Sequence, residues 1–197
     1  MPRILITGAA GGIGTSLRKL LPPIYPDLLL SDINTPADLG KGEKFRAADL
    51  ADLAQVEAIC EGVDGILHFG GYSIEGSWDQ IHQANIIGCY NLFEAAYRKG
   101  VKRVIFASSN HAVGFYPRHH RIGTDVTARP DSRYGVSKVF GEAVGARDRA
   151  LDLRHVGEIG RHEGLVAREA GGRLHVAQPQ IGIDALEQMP QPRADAA

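Results

Sequence analysis

Apolar residues in this chain fall into short unbroken runs that alternate with stretches of helical spacing. The segments "RILIT" (3–7), "DLLLSDIN" with Asp32 near its end, "EKFRAADL" leading to Asp49, "VDGILHFGG" and "VKRVIFASSN" each read as a strand. Between them, residues 13–21, 53–60 and 78–99 place apolar side chains three or four apart, as a helix with one buried face does. Pro22 and Pro23 end the first of these. Residues 132 to about 145 read as a further helix. Strands that are apolar throughout are buried on both faces, so the alternation predicts a doubly wound parallel sheet. Such sheets bind ligands beyond the carboxyl ends of their strands. Asp32, Asp49, Gly70 and Ser109 all fall at predicted strand ends.

Composition changes this picture in one place. The chain has 197 residues, 44% hydrophobic and 23% charged, which suits one domain with its own core. A formal charge of −1 gives no reason to expect nucleic acid or a membrane as partner. The opening "MPRILITGAAGG" lacks a secretory pattern and is too short to span a bilayer. Cys60 and Cys89 lie among apolar residues and read as buried free thiols of a cytoplasmic protein. His119 and His120 have no further ligand at metal-binding spacing, so no metal site is expected. The break comes late. Every Phe, Tyr, Trp and Lys stands at or before Phe140, and residues 141–197 contain none. The chain therefore divides into a folded region, 1–145, and a divergent or disordered tail, 146–197. The tail has few large apolar side chains to offset its ordering entropy, apart from one short strand within "ALDLRHVGEIG".

The candidate chemistry sits in the first region. "TGAAGGIG" places Gly8, Gly11 and Gly14 between a strand and a helix, where a glycine turn lets a dinucleotide pyrophosphate approach the helix N-terminus. Gly12 and Ile13 belong to the same turn. Asp32 ends the next strand, where a carboxylate accepts hydrogen bonds from an adenosine ribose, with Ile33 beside it. That charge repels the extra phosphate of NADP, so NAD is the expected cofactor. Asp49 and Leu50 are placed to flank the adenine, and Gly70 to leave the cofactor's face open. Tyr134 and Lys138 are four apart on one helix face, and Ser109 ends the fifth strand. A phenol titrates near 10, and a neighbouring ammonium favours the phenolate that can take a hydroxyl proton as hydride leaves the same carbon.

These residues together resemble the short-chain dehydrogenase/reductase superfamily, in its NAD-dependent epimerase/dehydratase-like branch with a Rossmann fold. "HFGGYS" and "FASSNHAVGFYPR" are similar to the uronate dehydrogenases, which oxidise a uronate to an aldarolactone. The resemblance covers about residues 3–145. It implies Tyr134 as base, Lys138 as its partner, and Ser73, Ser109, Asn110 and His111 as contacts of a sugar-acid substrate. A nucleotide-sugar epimerase or dehydratase, and an inactive truncated NAD-binding remnant, are the alternative readings. A homo-oligomer is left open. Asn85, in the long helix, is read either as an exposed polar residue or as one that bonds backbone and steadies the site. The family pattern implies a substrate lobe after the Tyr–Lys helix, with an arginine for the sugar carboxylate. From about Glu142–Val144 the chain no longer follows it, as a disrupted reading frame or a genuinely divergent tail would explain.

Overall fold

The computed structural model describes residues 1–123 and 125–150, and beyond them the backbone of three short strands. The five predicted strands form as β1 (Ile4–Thr7), β2 (Leu28–Asp32), β3 (Lys44–Ala47), β4 (Gly65–His68) and β5 (Arg103–Ala107). All pair in parallel, in the order β3-β2-β1-β4-β5. Strand β6 (Val156–Ile159) adds in parallel to β5; β7 (Val166–Arg168) and β8 (Leu174–Val176) continue the sheet antiparallel. The chain winds outward from β1 to β3, then returns to wind outward from β4. The topological switch point thus lies between β1 and β4, whose last residues Thr7 and His68 stand opposite each other.

Burial on both sides accounts for the unbroken apolar runs. Successive side chains of a strand point to opposite faces. On one face Ile4, Ile6, Leu67 and Ile105 pack with Leu17 and Leu21 at helix α1 (Gly12–Leu20). On the other, Leu5, Ile66 and Val104 meet Val56 and Ile59 of α2 (Leu53–Cys60) and further apolar side chains. Cys60 and Cys89 are buried in that second layer and form no disulfide, and desolvation pushes the Cys60 thiol up to about 12, which makes it unreactive. Arg18, also buried, is satisfied by Glu43 at 2.7 Å and Asp38 at 2.9 Å, which ties the loop before β3 to α1.

Three local features differ from the periodicity. The helix expected over 78–99 is α3 (Trp78–Ile81), a π-helical turn (His82–Ile87) and α4 (Gly88–Arg98). A 3-10 turn, Asn110–Val113, follows β5. Helix α5 (Arg133–Ala150) continues past residue 145, where Arg147 lies over the Tyr90 ring at 5.8 Å. The short strand expected within "ALDLRHVGEIG" is β6. Residues 146–150, expected to begin the tail, belong to α5; the other expectations for the tail, that it is divergent or disordered and lacks the substrate arginine, fall on residues outside those described. No described helix is long and apolar enough to cross a membrane.

Candidate active site

A cleft of about 550 Å³ opens at the switch point, beyond the carboxyl ends of β1, β2 and β4. Its walls include Gly8, Gly11, Gly12, Ile13, Gly14, Asp32, Ile33, Asp49, Leu50, Gly70, Ser73, Tyr134 and Lys138. Residues separated by more than a hundred positions thus reach one cavity because they stand at the end of β2, in the turns and loops that follow β1, β2, β3 and β4, at the start of α1, or on α5.

The cleft floor is the turn from β1 to α1. Gly8 adopts φ +73°, and a Cβ there would press into Phe69 backbone at 2.6 Å. Helix α1 begins with no side-chain cap at Gly11 and no acidic residue in its first turn, so its N–H groups are left for an anion. A Cβ at Gly12 would meet no protein atom within 4 Å. Packing alone therefore does not require a glycine there, whereas close approach of a ligand does. Asp32 is held in place by Ala10 N–H on Oδ2 (3.0 Å) and Asn34 N–H on Oδ1 (3.3 Å). A dinucleotide's pyrophosphate and ribose fit this donor and acceptor set.

The cleft's inner wall is α5. Lys138 is buried, donates to Ala107 O at 2.9 Å, and lies 5.4 Å from the Tyr134 ring centroid. Desolvation brings its ammonium down to about 8. Burial pushes the Tyr134 phenol up, against a hydrogen bond with Ser109 that pulls it down. Burial therefore biases both side chains toward their neutral forms.

Ser109, Asn110 and His111 line no part of the cleft wall; they gather beside Tyr134 on the turn after β5. Ser109 accepts His111 N–H at 3.2 Å and donates to Asn110 Oδ1 at 3.2 Å. The His111 ring meets the Tyr134 ring edge-on at 5.7 Å.

Asn85 explains the π-helical turn. The widened backbone turns its amide inward, where Nδ2 donates to Tyr72 O (2.9 Å) and Ser137 Oγ (3.0 Å) and Oδ1 accepts Tyr72 N–H (2.6 Å). Ser137 in turn donates to Tyr134 O at 2.7 Å. Of the two readings of Asn85, the buried, backbone-bonding one describes this geometry.

Other participants carried no sequence signal. Ser108 lines the cleft and donates to Glu142 at 2.5 Å, one buried polar side chain on another. Glu75 accepts the Tyr134 N–H at 3.0 Å and Arg133 at 3.1 Å, tying the loop after β4 to the start of α5. Thr7 Oγ1 lies 2.7 Å from His68 Nδ1 and accepts Gly70 N–H at 3.2 Å. Each of these pairings spans more than 30 residues.

The sheet order and a glycine-floored cleft at the switch point define a Rossmann-type nucleotide-binding protein. Residues 4–151 match the NAD dependent epimerase/dehydratase family, and the chain belongs to it. It is 52% identical over 141 residues to uronate dehydrogenase of Pseudomonas syringae pv. tomato, covering 71% of this chain and 51% of that one. With uronate dehydrogenase of Agrobacterium fabrum the identity is 51% over 142 residues, 72% of this chain and 54% of that one. Among solved structures, uronate dehydrogenase from Agrobacterium tumefaciens superposes with a TM-score of 0.76 at 46% identity, over 79% of this chain and 59% of the other. A mutant of that enzyme complexed with NAD gives 0.73 at 47% identity, over 76% of this chain and 57% of the other. The chain spans about half the length of these two curated relatives.

Proposed function

We propose that this chain is an NAD-dependent oxidoreductase that oxidises a uronate at its anomeric carbon to an aldarolactone. The observation that carries the reading is the convergence on one cleft of the glycine turn, Asp32 and the Tyr134–Lys138 pair. Its similarity to uronate dehydrogenases at about half identity supports the choice of substrate.

Bound NAD supplies the hydride acceptor. The chain's own residues do the rest. The bare N-terminus of α1 holds the pyrophosphate, Asp32 the adenosine ribose, and Asp49 and Leu50 flank the adenine. Lys138 reaches the second ribose while keeping a positive charge close to Tyr134. Ser109 holds the substrate's reacting oxygen, and Tyr134 takes the proton of that hydroxyl as its carbon loses hydride. A positive charge brought beside the phenol opposes the upward push of burial and favours the ionised form. Ser73, Asn110 and His111 bind the rest of the sugar.

An NADH-appearance assay with galacturonate and glucuronate tests the reading. Free NADH should accumulate with at least one of them. Interconversion of a nucleotide sugar with no NADH released would instead mark an epimerase or dehydratase that recycles its cofactor.

A further inference from the structure

We propose that Asp131 is a positioning residue that fixes His111 with its hydrogen on Nδ1, leaving the Nε2 lone pair to accept a hydroxyl of the bound sugar. The sugar contact rests on the function proposed above; the fixed tautomer does not.

The argument starts from the donors. Asp131 Oδ1 lies 2.8 Å from His111 Nδ1 and 3.0 Å from Ser132 Oγ. Ser132 Oγ accepts Gly135 N–H at 3.0 Å, so its own hydrogen is free to go to Asp131. Burial works to raise the Asp131 carboxyl, yet the bonds from His111 and Ser132 hold it below the ordinary carboxylate range. A carboxylate can only accept, so the hydrogen between Asp131 and His111 belongs to Nδ1. In a neutral imidazole the other nitrogen is then an acceptor, and which nitrogen that is follows from the bond its partner makes.

The backbone around this pair is shaped for it. Asp131 N–H donates to His111 O at 3.3 Å. A Cβ at Gly114 would collide with the Asp131 carboxylate, and one at Gly135 would collide with the His111 carbonyl. Two glycines therefore let the turn after β5 and the first turn of α5 close on each other around this contact. The His111 ring, so held, meets Tyr134 edge-on. An acceptor at Nε2 selects a hydroxyl and turns away a carboxylate, so the acid group of a uronate must bind elsewhere in the site.

Nitrogen NMR of the full chain with labelled histidine, in mildly alkaline buffer, reads the tautomer directly; the His111 signals are those lost in His111→Gln. Wild type should carry its hydrogen on Nδ1. Asp131→Ala should shift His111 toward the Nε2–H form while NAD affinity, which does not involve this pair, is kept. Kinetically, Asp131→Ala should raise the KM for uronate about tenfold and change kcat less. Wild-type His111 found as Nε2–H, or an identical tautomer in wild type and Asp131→Ala, overturns the proposal. Absence of uronate turnover in the wild type counts against the proposed substrate alone, because the tautomer is measured without it.

Discussion

His68 ends β4 with its side chain fully buried, and desolvation, with the Lys138 charge adding to it, brings its imidazole down to about 3. It stays neutral in the folded chain where an unfolded histidine would take up a proton. Below about pH 6.5 the unfolded state thus binds more protons, and stability falls as pH drops toward 3. The slope from this residue alone is about 1.4 kcal/mol per pH unit. Urea unfolding across that range should reveal it, and His68→Asn, which does not titrate, should flatten it. An equal slope in the variant would place the acid sensitivity in other groups. Tyr134 and Lys138 show the same desolvation on the cleft's inner wall. Neither direction was legible from the Tyr-x-x-x-Lys spacing, which places the two on one helix face but does not reveal how deeply they are buried.

At the scale of elements, the turn from β1 to α1 separates two roles that a row of glycines hides. A Cβ at Gly14 would collide with Gly8 O and Ala9, so Gly14→Ala should cost about 1–3 kcal/mol through overpacking. A Cβ at Gly12 would meet no other part of the protein within 4 Å. Gly12→Ala should therefore leave stability within about 0.5 kcal/mol while weakening NAD at least about tenfold by calorimetry. Loss of stability with affinity intact would mean the cofactor does not approach this helix end. The π-helical turn gives a second prediction. Asn85→Ala strands the Tyr72 carbonyl and should cost about 1–3 kcal/mol in urea unfolding. Asn85 was recognisable in the sequence only as a polar residue in an apolar helix. Its partners, Tyr72 and Ser137, lie 13 and 52 positions away, beyond the reach of any helical period.

Across the whole molecule, the sheet was the most readable feature. Strands buried on both faces read as apolar runs, as β1 and β4 do, and the five segments read from the chain are five of the six parallel strands described; β3, at the sheet edge, is mostly exposed. The cleft was legible for the same reason. Glycines and acids that interrupt those runs stand at strand ends, and the sheet gathers strand ends at one edge. Side-chain pairs closing the site, such as Ser108 with Glu142 and His111 with Asp131, were not legible, because they join elements that only folding brings together. The late loss of Lys and aromatic residues was plain in composition, and the matched family region, residues 4–151, ends close to it.

The central claim is that Tyr134 works on a uronate in a cleft that holds NAD. It is tested most directly by NADH appearance from galacturonate or glucuronate, with wild type and Tyr134→Phe compared after both are shown by calorimetry to bind NAD. The account predicts turnover by wild type and a loss of about a hundredfold or more in the variant, with NAD affinity little changed. Equal rates in the two proteins, or NAD binding by wild type with no turnover of either uronate, would contradict it.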